Sequence, residues 1–333
     1  MSLFAFAPSR GPRWQLGLQA ALGISIPVAV MTLVGLPTLG FIAGAGAFTV
    51  LFFGASPVVD RARALPLIAA ALVACAALGT IAGGDHWLSG IGTIVIAVVT
   101  AGLCFGFRLG PPGPIFFVLV FGLSAQITST GAISPLAYVA AFAGGCAFSY
   151  LVAITPLLIP RVRAHGPRPL SQLMPGPSFD DASRVLVLRV SIVAVLGVLI
   201  GAFVDPSRSY WIVGAGVAVI GLAAERRAAF QRGLHRMLGT VLGVGVYALI
   251  ALLHPQGLWI ALLLGILQFS VELVVVRHYA LALMLITPLV LLLTGAATGQ
   301  IGAMDVAVER VIDTVVGSAL GAASGLLHPR RTD

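Results

Sequence analysis

Long apolar runs of about 18–22 residues alternate with short glycine-, proline- or arginine-rich breaks along the whole chain. The runs begin near Trp14, Thr38, Ala64, Trp87, Gly113 and Ser134, and again near Arg184, Tyr210, Leu234, Gly257, His278 and Met304. Between them stand Gly35-Leu36-Pro37, Gly83-Gly84-Asp85, Pro111-Pro112, Asp205-Pro206 and His254-Pro255. A run of this length suits a helix crossing a hydrocarbon layer of about 30 Å, and far exceeds the ~10-residue alternating strands of a transmembrane barrel. The pattern predicts an all-α integral membrane protein of about twelve transmembrane helices. The first run follows Arg10 and Arg13 as a signal peptide would, yet has no small-x-small cleavage site, and is expected to stay as the first span.

Composition strengthens this picture. Of 333 residues, 59% are hydrophobic and only 9% charged, whereas a wetted globular surface needs about 25% charged residues. The formal charge of +8 comes from arginine alone, for the sequence contains no lysine. That excludes a P-loop lysine, a Schiff-base lysine and a lysine general base, and with them self-contained nucleotide hydrolysis. With the N-terminus in the cytoplasm, a twelve-span layout puts all but two of the 19 arginines on the inner side, the exceptions being Arg208 and Arg310. Both termini are therefore expected to be cytoplasmic, in the inner membrane of a bacterium.

The halves resemble each other. Phe41-Ile42-Ala43-Gly44-Ala45-Gly46 matches Trp211-Ile212-Val213-Gly214-Ala215-Gly216 at an offset of about 170 residues. Six spans being an even number, the copies share one orientation, as two parallel six-helix repeats. The expected organisation is a degenerate N-terminal repeat over 1–157, a Pro/Arg-rich cytoplasmic linker over 158–183, and a C-terminal repeat over 184–333. Gly40–Gly44, Gly102–Gly106, Gly239–Gly243 and Gly317–Gly321 carry the GxxxG spacing that lets helix backbones approach.

Specific motifs gather in the second half: Tyr210-Trp211, Glu225-Arg226-Arg227, Arg232, and Arg236-Met237-Leu238-Gly239-Thr240-Val241-Leu242-Gly243. Arg277-His278-Tyr279-Ala280-Leu281-Ala282 and Glu309-Arg310-Val311-Ile312-Asp313-Thr314-Val315-Val316-Gly317 follow. In this order and spacing the stretch Arg184 to Leu327 resembles the fusaric acid resistance (FUSC) family, which includes bacterial aromatic acid exporters and is similar to aluminium-activated malate transporters of plants. The first half shows only an echo at Leu78-Gly79-Thr80, and nothing in the chain resembles the large cytoplasmic domain of many long exporters. The resemblance implies export of aromatic or other organic carboxylates, and a chain built as a fused pseudo-dimer with a pathway between its halves. Such a chain acts as a monomer or assembles as a homo-oligomer.

An ionised side chain at bilayer depth costs roughly 2.5–3.5 kcal/mol on insertion scales, so those present should face protein or water. Glu309 and Asp313 lie four apart on one face of the last span, with Arg310 beside Glu309; they are either a proton or substrate relay or an internal ion pair. Arg236 opens the ninth span and offers a planar fork to a carboxylate, or anchors the span at the inner interface. Glu272 is expected to pair with Arg236 or Arg277. Arg189, one turn into the seventh span, either snorkels inward or lines a pathway, and Thr240 could hydrogen-bond a passing anion. These seven make the candidate substrate pathway. Cys75, Cys104 and Cys146 form no CxxC pair and read as packing residues. No catalytic set, metal site, cofactor or nucleic-acid-binding feature is expected; the partners are lipid and a small organic anion, with a proton gradient as one source of drive. The competing readings are a passive organic-anion channel, a major-facilitator-type transporter suggested by Asp60-Arg61-Ala62-Arg63, and a non-transport membrane subunit.

Overall fold

The computed structural model describes residues 11, 13–164, 166–221 and 225–327. Arg10, Arg330 and Arg331, counted above among the inner arginines, lie outside the described residues. Among the described residues every expected run holds a helix, and we number these α1 to α12. They are α1 (Trp14–Leu33), α2 (Pro37–Gly44, continued by a 3-10 helix Ala45–Leu51), α3 (Val58–Ala82), α4 (His86–Gly106), α5 (Ile115–Ser129) and α6 (Pro135–Ile154). The second series is α7 (Asp181–Val204), α8 (Ser209–Ile220), α9 (Arg226–Ala251), α10 (Leu258–Val274), α11 (Tyr279–Thr298) and α12 (Met304–Ala323). Seven of them, α1, α3, α4, α6, α7, α9 and α11, are long and apolar enough to cross a membrane.

Local chemistry sets the boundaries. Proline opens α2 and α6 at the one turn that needs no amide hydrogen. Asp85, Ser134 and Asp180 cap α4, α6 and α7 by accepting from backbone N–H groups two or three residues on. Gly299, left-handed at φ 74°, ends α11. Two helices start earlier than their apolar runs: α3 at Val58 rather than near Ala64, and α9 at Arg226 rather than near Leu234. Arginine, alanine and glutamine are good helix formers, so the polar turns of Arg226 to Arg236 continue the helix without help from hydropathy. Arg236 consequently lies about 15 Å into α9 and does not open it.

The chain condenses into two compact units, and each draws on both sequence halves. The first comprises the described parts of Met1–Ala74, Ala132–Leu170 and Leu238–Glu309. In it α1 runs antiparallel to α10, Gly17 meeting Phe269 and Gly265 meeting Ser25. Gly40 and Gly44 of α2 seat on Pro27, Val28 and Ile24 of α1, and Gly239 and Gly243 of α9 seat on Ala280 and Thr287 of α11. The second unit comprises Cys75–Gly131, Ser171–Met237 and the described part of Arg310–Asp333. There α4 packs on α7, α5 on α8, and Gly317 and Gly321 of α12 on Ile212 and Gly216 of α8. Three of the four GxxxG spacings thus mark close helix contacts. The fourth does not: Gly102 faces open space, and Gly106 packs on Phe179 outside any long helix.

The linker is pinned at both ends. Arg168 donates from its backbone and guanidinium to buried Asp60 at 2.8 Å each, within the first unit. Ser178 donates its amide to the Gly106 carbonyl in the second.

Candidate functional site

The second unit contains a cluster of buried charged and aromatic side chains, and it is assembled around a short helix. α8 has 12 residues, about 18 Å, too short for a bilayer of about 30 Å. Nearly all of it is buried, and Gly221, at φ 53°, stops it. A short buried helix can end inside a membrane protein only where neighbouring groups satisfy its exposed amides and carbonyls.

Its N-terminal approach is a 3-10 turn, Pro206–Arg208, organised by Asp205. One Asp205 oxygen accepts from the Ser207 amide at 2.9 Å and the Ser207 hydroxyl at 2.6 Å; the other accepts from Arg208 Nε at 2.9 Å. Partial burial pushes this carboxyl up, but the Ser207 hydrogen bonds and the Arg208 guanidinium outweigh it and hold it below the usual carboxylate range. Asp205 thereby fixes the Arg208 side chain, whose Nη1 lies 4.0 Å from Oδ2 of Asp313. That ion pair is longer than a hydrogen bond, and Asp313 is 2% exposed, about 14 Å into α12.

One turn before Asp313, the Arg310 guanidinium lies over the Trp211 ring at 3.2 Å from its centroid. This is a desolvated cation–π contact, a type worth about 2 kcal/mol. Arg310 has Arg236 and Arg208 as like-charged neighbours and Asp313 as an opposite charge. Its Nη1 is buried with no hydrogen-bond partner among the described residues. Tyr210 stands beside Trp211 at 4.9 Å between ring centroids and donates its hydroxyl to Gln126 of α5. Three guanidiniums, a buried carboxylate and two aromatic rings therefore meet within one unit, contributed by the turn before α8, by α8, α9 and α12.

The expected pathway residues divide on this geometry. Arg236, Arg310 and Asp313 belong to the cluster. Thr240 is buried one turn beyond Arg236, and Glu309 is half-buried just before Arg310. Arg189 does not snorkel: it is wholly buried in the second unit, its Nε donating to Ser324 Oγ at 3.1 Å. Glu272 pairs with neither Arg236 nor Arg277. In the first unit it accepts from Arg13 Nη2 at 2.8 Å and from Gln268 at 3.3 Å, because the antiparallel α1 brings the chain's start to the end of α10.

Sequence reasoning missed Arg208, Tyr210, Trp211 and Gln126 as site residues. One signal was present: in the expected twelve-span layout Arg208 and Arg310 are the two arginines off the inner side, and they are electrostatic neighbours here.

Comparison with known proteins bears on the same region. The family model described as fusaric acid resistance protein-like matches residues 188–324. The chain is 33% identical over 156 residues to the uncharacterized membrane protein YvaC of Bacillus subtilis (strain 168), a match covering 46% of this chain and 25% of that protein. The chain thus spans about a quarter of the relative it matches. No solved structure matches.

Proposed function

Because residues 188–324 belong to the fusaric acid resistance protein-like family, we propose that this membrane protein expels small organic carboxylates, aromatic ones foremost, across the bacterial inner membrane. Transport rather than catalysis is the reading, with the pathway passing the Arg208–Arg310–Asp313 cluster. The observation that carries it is the buried Arg310 Nη1, an N–H donor with no acceptor among the described residues, on a guanidinium that already lies against an indole ring. A guanidinium presents a planar fork matched to the two oxygens of a carboxylate, and an aromatic wall accommodates the ring of an aromatic acid. Asp313, held 4.0 Å from Arg208, is the internal anion that an incoming carboxylate would displace.

Twelve crossings with both ends inside remain our topology. That layout requires α4 and α7 to run in opposite directions, and Gly90 meets Val198 while Gly106 meets Phe179. It requires α8 and α12 to run the same way, and Ile212 meets Gly317 while Gly216 meets Gly321. Of the five helices that do not reach spanning length and hydropathy alone, α2, α5 and α8 are largely buried by neighbours in place of lipid.

The test is efflux of benzoate and aliphatic carboxylates from liposomes holding the purified protein, with and without an imposed pH gradient. Benzoate efflux is expected, at least tenfold slower in Arg310→Lys, which keeps the charge but loses the fork and the ring stack. Accumulation that needs the pH gradient supports coupled export through Asp313; dissipation indifferent to it supports the passive channel. Absence of flux for every carboxylate in folded protein overturns the proposal.

A further inference from the structure

The two units are built to one plan with the sequence halves exchanged. In the first, α1 packs on α10 and α2 on α11; in the second, α7 packs on α4 and α8 on α5. Each time the first helix of one half meets the fourth of the other, and the second meets the fifth. Details repeat as well. Gly46 meets Gly145 backbone to backbone in the first unit, and Gly216 meets Gly317 in the second, 170 and 172 positions on. Gln19 donates to the Ala153 carbonyl, and Arg189 to Ser324 Oγ, 170 and 171 positions on. Helix contacts of this closeness tolerate no slip of register, so they fix which residues correspond.

The correspondence places the second unit's cluster on uncharged residues of the first. Arg208 maps to Thr38 and Trp211 to Phe41, while Arg236 falls on Leu65 or Pro66. Arg310 and Asp313 fall on Tyr138 or Val139 and on Ala141 or Phe142. Phe41, Leu65, Tyr138 and Phe142 are all buried, Phe142 completely. Phe41, Leu65 and Phe142 are large and apolar, and the set carries no charge.

We infer that the second unit's anion site has no counterpart in the first, where the equivalent position is a closed apolar plug and the buried Arg61 is held by Gln19 and the Val50 carbonyl. This rests on the carboxylate reading above. It makes the protein functionally one-sided despite a doubled architecture, and predicts one ligand per chain whatever the oligomer.

Equilibrium dialysis of labelled benzoate against the purified full chain tests it. One benzoate per chain is expected, with affinity weakened at least tenfold by Arg310→Gln and unchanged by Tyr138→Phe. Two equivalents per chain would overturn the inference and leave the proposed function standing. A single site indifferent to Arg310→Gln but weakened by Tyr138→Phe would overturn the inference and the placing of the pathway at the Arg310 cluster, and leave only carboxylate export standing. No saturable benzoate binding would remove the carboxylate reading and the inference with it. The wild-type stoichiometry decides between one site and two even if the arginine variant does not fold.

Discussion

Removing Arg13 should loosen the first unit more than removing its partner Glu272. Arg13 Nη2 lies 2.8 Å from Glu272 Oε2, and Arg13 Nε donates to the Glu272 carbonyl at 3.2 Å. The two ends differ in exposure: the arginine side chain is 29% accessible, the glutamate 6%. Breaking a buried pair by removing one partner costs about 3–5 kcal/mol, whereas an exposed pair is worth about 0–1 kcal/mol. Arg13→Gln strands a buried carboxylate with only the 3.3 Å hydrogen bond from Gln268, so about 2 kcal/mol is expected. Glu272→Gln leaves a cation that water can reach, at about 1 kcal/mol. The double variant should cost less than the sum, with a coupling of about 1 kcal/mol. In thermal unfolding of the detergent-solubilised protein, Arg13→Gln should lower the midpoint by roughly 3 °C, taking about 1.4 °C per kcal/mol from an unfolding entropy of about 2.1 cal/mol/K per residue over 333 residues. If Arg13→Gln shifts the midpoint no more than Glu272→Gln and the two effects simply add, the pair is screened and the argument from burial fails.

Further outcomes follow from contacts in each unit. A Cβ at Gly145 would run into the Ala43 carbonyl and one at Gly317 into the Ile212 carbonyl, so Gly145→Val and Gly317→Val should each abolish the monodisperse detergent peak. Gly102→Val, with open space around it, should leave that peak unchanged. Asp205 is held below its ordinary value, so its stabilising contribution is present above about pH 4, the unfolded carboxylate value, and is lost as pH falls through the folded one. Asp205→Asn should therefore flatten the acid limb of a midpoint-against-pH curve below about pH 4; an unchanged limb would show that the turn before α8 does not depend on this carboxylate.

The helices were legible from the order of residues because the signals that make them are local. An apolar run, a proline or aspartate at its start and a glycine at its end act within one turn, and all twelve expected runs hold a helix among the described residues. The second-half motifs were legible for the same reason, and they fall in the matched family segment. Where hydropathy was the wrong local cue, the boundary slipped. The polar turns of Arg226 to Arg236 are helical, and that carried Arg236 from an assumed interface into the body of α9.

Partnerships between charges were not legible. Glu272 finds Arg13 at a separation of 259 residues, while Arg277, five positions away, is not its partner. Arg208 reaches Asp313, and Trp211 lies under Arg310, only because α8 and α12 close on paired glycines. An ion pair needs a few ångströms of approach, and hydropathy patterning says which face of a helix is covered but not by which neighbour. The order of residues by itself determined a helical chain with runs long and apolar enough to cross a membrane. Tertiary structure alone decided that each compact unit mixes both halves, and that Arg208 and Arg310 share one buried site, because glycine contacts set the register in which distant helices meet.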